Sequence, residues 1–268
     1  MDHSQTVKRS ILLCAAVLSS CNWYDKTTVQ NIAGPVPAGA RVLFFNFGVN
    51  APGVNFYAND TKITAISSSK PDTESTIGVP YGGVAAGGFY AAIPAGQYTL
   101  TGRIADTTGG FKDRPVDTLS AAIADGKAYS FYMSGIYNTV TKIVDAFVVE
   151  DPLPAHVEYA VAYVRFVHAI SNANPMTLYA MIRDAVDTTK TDTLAVGAEV
   201  AYQSAGAFTP LAQGVYNLGT FYAGATTSAV SRTGVSFLAG RVYTVTARGD
   251  ITVASGAAAP VLDNTANR

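Results

Sequence analysis

Cysteine, histidine and tryptophan are almost missing from this chain, at two, three and one among 268 residues. Two cysteines cannot staple a disulfide scaffold. Too few Cys and His are left for a zinc cluster or a Cys–His nucleophile, so no cofactor or metal is expected. Charge is scarce too: Asp, Glu, Lys and Arg make up 14%, against roughly 25% in an ordinary soluble protein. The two signs nearly cancel, 19 acidic against 18 basic, and clustered cations for phosphate contacts are lacking, which excludes a nucleic-acid partner. With 49% hydrophobic residues the chain is not disordered. Glycine keeps no fixed period, so it is not collagen-like either.

At the N-terminus, Lys8 and Arg9 precede a short apolar run from Ile11 to Leu18. That run is about half of the roughly 20 residues a membrane-spanning helix needs. A charged start, an apolar core and small residues before a cut site describe a secretory signal rather than a buried strand or helix. Its last four residues, Leu18-Ser19-Ser20-Cys21, resemble the lipobox of bacterial lipoproteins. The resemblance implies cleavage before Cys21, loss of residues 1–20 as signal peptide, and acylation of the Cys21 thiol and the new amine. Several acyl chains hold a protein on a membrane where one does not. With Cys14 removed and Cys21 capped, the folded part keeps no free thiol. Residues 21–39 read as a lipidated tether with Pro35 and Pro37. There Trp23 and Tyr24 are either membrane-boundary rings or plain spacer. Asn22 lacks the acidic character that resembles inner-membrane retention, so the expected address is the outer membrane, periplasmic or surface-facing.

The rest of the chain is a duplication. Val42, Phe44, Asn50-Ala51 and Tyr57 align without gaps on Val164, Phe166, Asn172-Ala173 and Tyr179. Gly96-Gln97-Tyr98-Thr99-Leu100 matches Gly214-Val215-Tyr216-Asn217-Leu218, and Gly126-Lys127-Ala128-Tyr129 matches Gly240-Arg241-Val242-Tyr243, always in the same order. The copies span 40–149 and 162–254. Residues 150–161, with Pro152 and Pro154, read as a stiff linker. Residues 255–268 are a frayed tail or a late edge strand. β-Branched and aromatic runs punctuated by Gly, Pro, Asn and Asp predict strands, with hairpin turns at Asn59-Asp60 and Asp125-Gly126. Seven or eight strands per copy predict an all-β fold: two tandem immunoglobulin-like antiparallel β-sandwich domains behind a lipoprotein signal peptide.

Arg165-Phe166-Val167-His168-Ala169, then Asn172-Ala173 and Tyr179, with Asn50-Ala51-Pro52 and Val54-Asn55-Phe56-Tyr57 in the first copy, resemble the opening of the bacterial family called domain of unknown function 4397. Ala95-Gly96-Gln97-Tyr98-Thr99 and Gly240-Arg241-Val242-Tyr243-Thr244 resemble its later strand starts. The sequence departs from it at Asn46, where the family has His, and in having Asn for the turn Asp. The resemblance implies a secreted or anchored envelope protein and no particular chemistry.

His168 is the one histidine well placed for chemistry. It is either a base or ligand at the sandwich rim, or a structural imidazole bonded to the next turn, with Asn172 capping the backbone there. Its counterpart Asn46, followed by Asn50, has no basicity and favours the structural role. A hydrolase centred on His168 lacks a nucleophile elbow. Asp72 and Glu74, Asp113 and Asp117, and Asp187 and Asp192 read as solvated turn acids. Gly82-Gly83 to Gly87-Gly88 lacks the Lys-Ser/Thr ending of a phosphate loop. The remaining candidates are aromatic: Tyr81, Phe89, Tyr90 and Tyr132 in the first copy, and Tyr202, Phe208, Phe221 and Tyr222 in the second. Of these Tyr81, Tyr90, Tyr132, Tyr202, Phe221 and Tyr222 form the candidate binding set. Exposed rings stack on sugars or anchor a protein; packed rings merely tie strands together. The expectation is a lipid-anchored, non-catalytic binding or scaffolding protein with an envelope protein or a glycan as partner.

Overall fold

The computed structural model describes residues 39–106, 110–183 and 191–268. Cys21, Trp23, Tyr24 and Asp187 lie outside the described residues. Gly39–Arg268 is one compact unit.

The first module has β1 (Ala40–Asn46), β2 (Val54–Ala58), β3 (Thr61–Lys62), β4 (Gly83–Val84), β5 (Ala91–Ile93), β6 (Gly96–Ile104), β7 (Leu119–Ile123), β8 (Ala128–Asn138) and β9 (Ile143–Glu150). The second repeats them one for one: β10 (Val161–His168), β11 (Thr177–Arg183), β12 (Thr191–Ala195), β13 (Ser204–Ala205), β14 (Thr209–Ala212), β15 (Gly214–Phe221), β16 (Val230–Phe237), β17 (Val242–Arg248) and β18 (Val261–Ala266). One sheet runs β4-β1-β8-β9 with β5 also on β1, and its counterpart runs β13-β10-β17-β18 with β14 on β10. The facing sheets run β3-β2-β6-β7 and β12-β11-β15-β16. Both modules are therefore β-sandwiches of identical strand order. Residues 255–268 supply β18, the edge strand equivalent to β9.

One detail differs from a purely antiparallel sandwich. β1 pairs with β8, and β10 with β17, in parallel, because the chain crosses to the other sheet and back between them. The expected hairpin turns form, with Asn59 at φ 54° between β2 and β3 and Gly126 at φ 70° before β8.

Each sandwich has its own core. In the first, Phe44, Phe56 and Phe131 meet at centroid distances of 5.1, 5.7 and 5.9 Å. In the second, Phe166, Val245, Leu218 and Phe237 fill the same space. Burying each such side chain stabilises the fold by roughly 1.5–3 kcal/mol.

A third core lies between the modules. Leu43, Phe45, Phe47, Tyr132 and Phe147 pack with Val167 and Ala169. β1 is thus buried on both faces: Val42 and Phe44 point into their own sandwich, Leu43 and Phe45 toward the second module. This overturns the reading of Tyr132 as an outward ring available for binding. It is fully buried, stacked between Phe45 at 4.5 Å and Phe147 at 5.0 Å, because the second module's sheet covers what would be an open face.

The stiff linker is tied into the fold by a buried ion pair. Asp151, 3% exposed, accepts hydrogen bonds from Ser130 (2.8 Å) and Tyr90 (2.7 Å) and pairs with the fully buried Arg165 of β10. Arg165 also donates to the Glu150 carbonyl (3.0 Å) and Thr244 Oγ1 (3.0 Å), with its guanidinium over Phe208. Asn267, which occupies the place of Asp151 at the end of the second module, donates to Tyr90 Oη (2.8 Å) and accepts from Thr244 (2.7 Å).

The interface is reciprocal, as in a two-fold dimer. Strand register makes Tyr81 the equivalent of Tyr202, and Ser134 the equivalent of Arg248. Tyr81 lies beneath Arg248 of the other module (5.1 Å), and Tyr202 bonds Ser134 of the other module (2.9 Å). The duplication therefore reproduces, in one chain, an isologous pairing of two modules through the same sheet.

Candidate functional site

At the end of β1, Asn46 is buried and its Nδ2 donates to the carbonyls of Pro52 (3.0 Å) and Val79 (2.9 Å). At the end of β10, His168 is equally buried. Its Nε2 donates to the Asn174 carbonyl (3.1 Å) and its Nδ1 accepts from the Ile170 amide (3.2 Å). Asn174 is the counterpart of Pro52, so His and Asn tie the same strand end to the same turn. Asn50 takes the left-handed conformation of that turn at φ 61°, and Asn172 bonds Asp250 (2.8 Å) and the Ile251 amide (3.2 Å). Burial lowers the His168 pKa, and the two bonds fix the neutral Nε2–H tautomer.

Protonated His168 loses the bond from the Ile170 amide. With its folded pKa below the ordinary value, its contribution to stability is present above about pH 6.5 and is lost as pH falls. His168→Asn is expected to hold neutral stability close to the parent, since the first module already uses Asn46 there. It should also flatten the acid side of a urea-midpoint profile below pH 6.5. A large loss at pH 7.5 would contradict this assignment.

The six candidate aromatics part company. Tyr81, Tyr90, Tyr132 and Tyr202 all belong to the module interface. Tyr202 donates to Asp145 (2.9 Å), packs edge-on to Phe147 (6.4 Å) and His168 (6.2 Å), and burial pushes its hydroxyl pKa up to about 12. The same cause pushes Tyr132 up to about 12 and raises Tyr81 and Tyr90. Tyr132 is fully buried and Tyr81 and Tyr202 pack on the other module, while the half-buried Tyr90 bonds Asp151 and Asn267 and also lines an open cleft beside Phe89 and Arg268.

Asp117 corrects the reading of solvated turn acids. It is 3% exposed, with Oδ1 accepting from the Gly102 amide and Oδ2 without a partner. The loop into β7 is pulled inward by the Val116 amide bonded to the Gly102 carbonyl (2.9 Å).

Phe221 and Tyr222 are half-buried at the edge of the outer sheet, Tyr222 resting on the second core. With Thr177, Tyr179, Thr193 and the turn at Ala223-Gly224 they line a cleft of about 230 Å³ on the outer sheet of the second module. Tyr179 and Phe221 stand at right angles, 5.4 Å apart. Tyr179 escapes sequence reasoning because it matches Tyr57. Its partner position does carry a signal, since Phe221 falls where the first copy has a charged residue. Among the described residues there is no cluster of His, Cys, Asp and Glu able to hold a metal, and no helix long and apolar enough to cross a membrane.

No curated protein matches the chain. Residues 40–179, from β1 into the second strand of the second module, match the family described as domain of unknown function (DUF4397). That match covers more than half of the chain, and the chain belongs to the DUF4397 family.

Proposed function

We propose that this protein is a lipid-anchored component of the bacterial cell envelope, on the outer membrane, that works by binding or scaffolding and not by catalysis. The observation that carries the reading is how the polar side chains are spent. Asp151, Arg165, Tyr90, Tyr202 and His168 are buried or half-buried and bonded to partners in the fold. A rigid, doubled sandwich on a tether suits presentation of a surface to an envelope protein. The second reading, a glycan-binding accessory protein, is favoured by the cleft at Phe221 and Tyr222.

The anchor is tested by metabolic labelling with palmitate. The parent chain is expected to take up label and partition with membranes, and Cys21→Ala to remain unlabelled. An unlabelled parent defeats the anchored reading. Cross-linking in intact cells then tests for a partner, with a reproducible adduct expected.

A further inference from the structure

The two modules carry the same tyrosine on the same outer sheet, and differ in what covers it. In the first, Tyr57 is 7% exposed. The Arg103 guanidinium lies over its ring at 4.3 Å and Lys62 at 5.9 Å, and its hydroxyl donates to Asp113 (3.4 Å). Arg103 is held there by Thr101 Oγ1 (3.3 Å) and Asp60 (3.2 Å). The ring face is closed by the chain's own cations.

In the second module both covering cations and the threonine that holds Arg103 change. Strand register puts Phe221 at the place of Arg103, Ala195 at that of Lys62, and Gly219 at that of Thr101. Gly219 is required by space: a Cβ there would come within 2.9 Å of the Phe221 ring and 3.2 Å of Met181. The result is a half-buried Tyr179 ring without the two cations, with Phe221 as a perpendicular wall, Tyr222 beside it, and the hydroxyls of Thr177 and Thr193 at the margin.

No charged residue is among the described residues that line the cleft. Among the described residues a bound cation would find ring faces but no carboxylate, unlike Arg103 with Asp60, and an anion would find no charged donor. The lining of ring faces and neutral hydroxyls matches an uncharged ring that is apolar on its C–H face and hydroxylated at its edge. The cleft, about 230 Å³, is smaller than the roughly 300–1,000 Å³ of pockets for drug-sized ligands, which suits one ring. We infer that the Tyr179–Phe221–Tyr222 cleft of the second module is a carbohydrate subsite that stacks one neutral pyranose ring. The inference rests on the binding reading above and names the ligand class and the surface.

Saturation-transfer NMR on the full chain tests it, with maltose, cellobiose, N,N′-diacetylchitobiose and lactose as probes. Saturation of sugar ring C–H protons by at least one of them is expected. Phe221→Arg, which restores the first module's cation, should abolish it. Phe221→Leu, which keeps an apolar side chain without the ring, should weaken binding up to about tenfold, the value of one stacked ring. Near-UV circular dichroism identifies the folded variants, and either one decides the matter. Silence from all four sugars, or transfer undiminished in a folded variant, overturns the subsite. A cross-linked envelope partner persisting alongside such silence leaves the binding reading standing without the sugar; loss of both removes the binding reading itself.

Discussion

Asp151→Ala is expected to cost about 3–5 kcal/mol of folding stability, the toll of leaving a buried charge unpaired. Arg165 is fully buried, and Asp151 is its carboxylate partner. Removing that carboxylate also strands the hydroxyls of Ser130 and Tyr90. The duplication supplies the control. The first module has Leu43 at the place of Arg165, and the second has Asn267 at the place of Asp151. Arg165→Leu combined with Asp151→Asn should therefore lose far less than Asp151→Ala, because the charge leaves together with its partner. Urea unfolding of the single and double variants measures both. A double variant no better than Asp151→Ala would mean that packing around Arg165, not its charge, is what the interface needs.

Much of this fold is legible in the sequence, because duplication makes each copy a check on the other. The Gly-x-Tyr strand starts and the phase shared by Val42, Phe44, Val164 and Phe166 place strands that do pair as equivalents. The docking of the modules was written there less plainly. Val42-Leu43-Phe44-Phe45-Asn46-Phe47 does not alternate as a half-buried strand would, and such a run marks burial on both faces. Arg165 inside an apolar strand is a second sign that a carboxylate waits for it. That the carboxylate is Asp151, in a proline-bearing connector, depends on how the chain folds back and has no local signature.

The same reason explains the aromatics. Tyr132 has the strand phase of an exposed ring and Tyr202 lies in a turn, and both would be exposed on a lone module; the second sheet decides otherwise. Phe221 and Tyr222 stay half-buried because no sheet covers the outer face. Which sheet faces remain open to solvent is thus decided by which faces the duplication consumed.

Asp117 is expected to take stability away as pH rises from about 4 to about 8, against the opposite slope that His168 gives below about pH 6.5. Burial pushes its carboxyl pKa up from 3.8 to about 8, opposed only by the hydrogen bond from the Gly102 amide. Across that window the folded chain keeps a proton that the unfolded chain has released, so unfolding liberates it and alkali favours unfolding. Each pH unit then removes up to about 1.4 kcal/mol, and the loss stops once both states are ionised. Asp117→Asn keeps an oxygen for the Gly102 amide and has nothing to ionise. Its urea midpoint should be flatter than the parent's between pH 5 and pH 8, and higher than the parent's at the upper end. Coincident pH profiles for parent and variant would show that the folded protein already carries Asp117 as a carboxylate, with solvent reaching the Oδ2 that now faces the interior.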